Sequence, residues 1–180
     1  MTVSVRTLVI SVTFILGATV AGIALLARRD DASKTTPLQP GVPVLVEPGD
    51  LDSVSGVTAP LYWAGNLPGR RLEVTTTKSA SFVRYLPPAA PLGTRARTLT
   101  IATYAVPGAW YVAEQAAQER GAARLTLPDG GIAVWRRSRP TSVYIAERGS
   151  GTLVEVFDPS AANALHLSMS GLVRPVADAR

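Results

Sequence analysis

The hydrophobic pattern changes character twice along this chain. Residues 7–27, TLVISVTFILGATVAGIALLA, form an apolar run with no charge and no proline. As a helix its 21 residues would be about 31 Å long, close to the roughly 30 Å hydrocarbon core of a bilayer. The hydroxyls of Ser11, Thr13 and Thr19 can bond back to the carbonyls of the preceding turn. A buried helix of a soluble domain usually keeps a polar stripe, and this run has none. It reads as a transmembrane helix preceded by a short tail, residues 1–6. The competing reading is a cleaved signal peptide. Cleavage after Ala24 would place Gly22 two residues before it, an acceptable small residue, but the apolar stretch is longer than such leaders usually carry.

Residues 28–59, RRDDASKTTPLQPGVPVLVEPGDLDSVSGVTA, lose this pattern. Pro37, Pro40, Pro43 and Pro48 follow too closely for a helix or a central strand. The segment reads as a proline-rich linker. About thirty residues at ~3.1 Å each would reach on the order of 90 Å. Within it, 42–48 (VPVLVEP) has an alternative reading as a strand at a sheet edge.

After that the pattern becomes short and β-like. RRLEVTT (70–76), SFVRYLP (81–87), TLTIATYA (98–105), GIAVWRR (131–137), SVYIAER (142–148) and TLVEVF (152–157) are rich in β-branched and aromatic residues, with breakers between them. PDGG (128–131) and RGSG (148–151) supply hairpin turns, so 124–157 reads as an antiparallel meander. AWYVAEQAAQER (109–120) reads as a helix closed by Gly121. A second helix follows in DPSAANALHLSMSGL, with Asp158 as its cap and Pro159 at its first position. Ala161, Ala162, Leu165, Met169 and Leu172 recur at helical spacing. Leu165 and Met169 are therefore expected to face the sheet, with His166 half exposed beside them.

These elements predict an α+β domain over residues 60–175. An antiparallel sheet of about five to seven strands is packed by one or two helices, and 176–180 form a tail. About 115 residues suffice for one core.

Charge narrows the function only slightly. The chain carries 18 basic and 13 acidic residues, net +5. The surplus falls to three once residues 1–34 are set aside. That is ordinary for a soluble domain, and no nucleic-acid partner is expected. The absence of cysteine excludes disulfides, thiolate metal sites and a lipid-modified cysteine anchor. With one histidine, neither zinc nor haem has a ligand set. Asp50 and Asp52 sit in GDLDS, too short for a calcium loop. No metal and no cofactor are expected. His166 with Ser168 and Ser170 has no orienting carboxylate and no strained nucleophile turn, so no catalytic residue is assigned. Glu73, Glu147 and Glu155 fall on strands, at positions that alternation turns to solvent.

One cluster stands out. WRRSRP gathers Trp135, Arg136, Arg137 and Arg139 at a predicted turn. These are the candidate ligand-binding residues, suited to an anionic lipid headgroup, a polyanionic wall polymer or an envelope protein. The plainer reading is a solvated hairpin loop. Arg70, Arg71, Arg95 and Arg97 would join the patch only if the fold brought them there.

Orientation is set by opposing signals. Arg28, Arg29 and Lys34 after the span outnumber Arg6 before it, which favours a cytoplasmic domain. Long domains translocate regardless of such charges, and a proline-rich tether suits a domain held off a surface. We expect the domain outside the cell.

The order of an apolar span, a proline-rich tether, PLYWAGNLPGRRLEV, the strands around 82–85 and 99–101, and a closing VFDPSAANALHLSMSGL resembles that of uncharacterised single-pass envelope proteins of GC-rich bacteria. Their outer part is similar to the sensor-like ectodomains of membrane-bound anti-sigma factors. The resemblance spans about residues 60–175 and implies a curved antiparallel sheet closed by a final helix. It carries over no functional residue. One departure is that no sigma-binding domain is read before the span, so a direct anti-sigma role is not expected from the resemblance. The expected function is a non-catalytic interaction, ligand-binding or sensing role in the bacterial cell envelope. The alternative is a hydrolase-like envelope enzyme with an unrecognised carboxylate or serine site.

Overall fold

The computed structural model of the protein describes residues 36–57 and 59–176. The apolar run 7–27 and the tails 1–6 and 177–180 lie outside them. Among the described residues no helix is long and apolar enough to cross a membrane.

The order of elements begins with β1 (Thr36–Pro37), β2 (Val44–Val46), a 3-10 turn (Pro48–Ser53), β3 (Val54–Ser55) and β4 (Tyr62–Trp63). Three long strands follow, β5 (Arg71–Thr76), β6 (Ala80–Leu86) and β7 (Thr100–Ala105), then helix α1 (Ala109–Ala117). The meander is β8 (Ala122–Thr126), β9 (Ile132–Arg136), β10 (Arg139–Ala146) and β11 (Thr152–Phe157). Helix α2 (Ala161–Met169) and β12 (Arg174–Pro175) close the domain. The fold is α+β as expected. Its main sheet is antiparallel with eight strands, in the order β2-β5-β6-β7-β11-β10-β9-β8.

That is one strand beyond the expected range, and the extra strand comes from the segment read as linker. β2 pairs with β5 as an edge strand, which is the alternative reading of 42–48. Leu38, Val46 and Leu51 are buried in the core. The linker assigned to 28–59 therefore does not extend past Thr36. The prolines are compatible with order because none sits in a central strand. Pro37 lies on a two-residue strand, Pro43 just precedes β2, and Pro48 opens the 3-10 turn, where a missing N–H costs nothing.

The register explains the core. Val74, Val83, Ile101, Val156 and Val143 stand opposite one another across five strands, and all are fully buried. β-Branched side chains suit this half-pleated packing. The cluster on this face also takes in Leu38, Leu51, Trp63, Ala164 and Leu167. The buried Tyr85 hydroxyl joins β6 to the chain after β4, accepting from Ala64 N (2.7 Å) and donating to Gly65 O (3.0 Å). The other face carries Ile132, Val134, Ala146 and Leu153, which α1 covers with Ala109 and Ala113.

α2 departs from expectation in two respects. Its N-cap is Ser160, whose Oγ accepts from Asn163 N, so Asp158 is not the cap. Asp158 is buried two residues earlier, where Oδ1 accepts from Ser160 N and Oδ2 from Asn163 Nδ2, both at 2.7 Å. The buried stripe is Ala164, Leu167 and Ser168. Met169 and Leu172 are exposed, Leu165 is only partly buried, and His166 is exposed. Ser168 can enter the core because its hydroxyl donates to Ala164 O at 2.8 Å. Ala164 is small enough to let the helix approach the sheet. Asp158→Ala should cost about 1–2 kcal/mol through two lost acceptors near the helix start, and His166→Gln should change little. Urea melts of the two variants check this ordering.

Candidate ligand-binding face of the sheet

The fold separates the expected cluster. Trp135 and Arg136 are consecutive on β9, so their side chains leave opposite faces. Trp135 packs partly buried against the core. Arg136 is exposed and ion-paired with Glu119 beyond α1. Arg137 and Arg139 are exposed around the turn from β9 to β10. Of the four, Arg139 lies near something of chemical interest: its positive charge acts on the Tyr144 hydroxyl.

Tyr144 belongs to a row on the face that α1 only partly covers. The row runs Thr75, Phe82, Ala102, Glu155, Tyr144, Val134 across six strands. The adjacent row on one side holds Glu73, Arg84, Thr100, Phe157 and Ser142. A loop, residues 87–99, folds over the first part of that second row. Glu73 Oε1 takes a 2.6 Å ion pair from Arg84, and Oε2 accepts from Gly93 N at 2.6 Å. Arg84 also donates to Thr94 O and Ala96 O. Between this loop and α1 lies a strip of partly exposed rings: Phe82, Tyr104, Tyr144 and Phe157. Phe82 and Tyr104 meet edge to face at 6.3 Å, and Arg97 lies 5.2 Å above the Phe157 ring.

Glu155 lies at the floor of the strip and is only 5% exposed. Tyr104 donates to its Oε2 at 2.9 Å, and the Tyr144 hydroxyl lies within reach of the same carboxylate's charge. Burial is the main reason that both hydroxyls are held above the ordinary tyrosine range, and the negative charge of Glu155 adds to it. Arg139 pulls Tyr144 slightly back down. Both phenols therefore stay protonated, and the carboxylate fixes the Tyr104 ring in place.

Glu73 and Glu155 were expected to face solvent, and both are buried. Strict alternation fails because their strands are covered on both sides. A signal was present: in TLVEVF the apolar residues do not alternate, which is the mark of a strand packed on two faces. A charged side chain there must find partners inside the protein.

Glu73 and Glu155 do not form a facing carboxylate pair. Glu73 and Glu155 sit on strands with two others between them, about 14 Å apart at ~4.8 Å per strand spacing. Carboxylate pairs of glycosidases stand roughly 5–9.5 Å apart. Asp129 and Glu147 do share a cleft with Ser168, but its volume of about 20 Å³ is that of one water, and Asp129 Oδ1 already accepts from Gly131 N. Ser168 is spent on Ala164 O, and His166 is on the exposed side of α2. Among the described residues no three of His, Cys, Asp and Glu gather as a metal site.

No family model, no curated protein and no solved structure matches the chain.

Proposed function

We propose that the protein is a single-pass membrane protein, anchored by residues 7–27, whose domain faces outward and has a non-catalytic binding role in the cell envelope. The observation that carries this reading is the ring strip between α1 and the loop 87–99. Phe82, Tyr104, Tyr144 and Phe157 present partly exposed ring surface, and Tyr104 is pinned by Glu155. Rigid aromatic side chains lose little entropy on contact, which makes such a strip an effective binding surface. Arg97 and Arg139 bring positive charge to it. The ligand that fits is an elongated anionic polymer of the cell wall, with rings stacking on its repeating units and guanidinium groups pairing with its anionic groups. The resemblance to envelope ectodomains points the same way.

The test is cosedimentation of the detergent-solubilised chain with insoluble wall material, before and after removal of its anionic polymers. Binding should need the anionic polymer. Arg97→Glu together with Arg139→Glu should weaken it roughly tenfold, equivalent to about 1.4 kcal/mol. Equal binding to stripped material, or by the double variant, would remove this assignment.

A further inference from the structure

We propose that the β2 edge of the domain docks on the surface of an anionic bilayer, the one that holds the anchor. The inference rests on the reading of 7–27 as a membrane span. Its structural basis is separate from the ring strip.

The first observation is the length of the tether. β1 begins at Thr36, so only residues 28–35 separate the apolar run from the ordered domain. Eight residues reach at most about 29 Å when fully extended. A linker running to residue 59 would have let the domain move several times farther. The short tether, with Arg28, Arg29 and Lys34 in it, holds the domain where the bilayer surface is always within reach.

The second observation is what the domain shows on that side. Leu45 and Leu92 are two of its exposed large apolar side chains, at 42% and 46%. They lie on the same side of the β2 edge. Leu45 stands opposite Glu73, whose carboxylate holds Gly93 N, which brings the neighbouring Leu92 over the same spot. A Cβ on Gly93 would lie 3.4 Å from Pro43 Cγ, so the loop 87–99 packs directly against the β2 edge.

The third observation is charge. Leu45, Arg70 and Arg71 line one cleft of about 80 Å³, together with Val46, Glu47, Pro48 and Leu72. Arg71 donates through a terminal nitrogen to Ala90 O, while its buried Nε has no hydrogen-bond partner. Arg70 is exposed, as is Arg95 on the loop 87–99. Glu47 is the acidic side chain of this cleft, set against two arginines. An apolar knob rimmed by guanidinium groups matches the interface of an anionic membrane: Leu45 and Leu92 enter the acyl boundary while the arginines meet headgroup phosphates. A free edge strand is also an aggregation liability, and a bilayer would shield it.

The chain contains no cysteine, so a single introduced one can be labelled uniquely. Leu45→Cys and Leu92→Cys report from the patch, and Tyr111→Cys reports from the exposed side of α1. Each full chain carries an environment-sensitive fluorophore and is reconstituted into phosphatidylcholine vesicles with or without phosphatidylglycerol. With phosphatidylglycerol, labels at 45 and 92 should shift to the blue and be shielded from an aqueous quencher, while the label at 111 should do neither. Arg70→Glu with Arg95→Glu should lower the docked-to-free ratio by about fivefold for each charge removed. Vesicle flotation separates the two readings. A chain that floats with vesicles, but whose label at 45 is as quenchable as that at 111, overturns the docking alone. A chain that floats with neither vesicle overturns the anchor, and the docking falls with it.

Discussion

Glu73→Ala should destabilise the domain by about 3–5 kcal/mol, the usual cost of breaking a buried ion pair from one side. Glu73 is 1% exposed and has both oxygens engaged, one by Arg84 and one by Gly93 N. Removing it takes the acceptor from the Gly93 amide and leaves a guanidinium of 18% exposure without its counter-charge. Arg84 retains the carbonyls of Thr94 and Ala96, which moves the cost toward the lower end. Glu73→Gln keeps an acceptor but loses the charge, so it should fall between the two. Urea unfolding of the detergent-solubilised chain measures all three. The variant should also raise hydrogen exchange across residues 87–99, because Glu73 is what ties Gly93 down. A loss below about 1 kcal/mol, with unchanged exchange in the loop, would mean that other contacts hold the loop 87–99.

Leu51→Ala should cost about 2–5 kcal/mol, as for any large aliphatic residue cut back in a closed core. Leu51 is 1% exposed and sits in the 3-10 turn between two short strands. It joins the main cluster together with Leu38 and Val46. A surface residue in a solvated linker would cost within about 0.5 kcal/mol. The two values are far enough apart that one melt decides whether 36–57 belongs to the domain. It also bears on the membrane proposal, since a loose 36–57 segment would lengthen the tether.

How far the fold was legible depended on the kind of signal. Six of the seven long strands and both helices were readable, because β-branched runs with turns between them have few other stable arrangements. The segment 36–57 was not, because its prolines look the same in a linker as in the first residues of short edge elements. Only Leu38, Val46 and Leu51, spaced without period, hinted at burial. The cap of α2 was misplaced because Asp158 and Ser160 are both good capping residues two positions apart, and the choice depends on where Asn163 points. The site was legible only in part. WRRSRP announced itself by density of charge, yet the hairpin splits it between faces and one of its arginines is occupied by Glu119. The Glu155–tyrosine cluster is assembled from β7, β10 and β11, and pairing across strands so distant in sequence is not visible before the register is known.

The most direct test of the central claim is where the domain lies in the living cell. Tyr111→Cys places one thiol on a side chain position that is 67% exposed. Intact cells are treated with a membrane-impermeant maleimide, and the chain is then recovered. An outward-facing binding domain predicts full labelling before lysis, equal to that after lysis. Labelling that occurs only once the membrane is broken would place the domain in the cytoplasm, where the basic residues at 28, 29 and 34 point, and would contradict the envelope role.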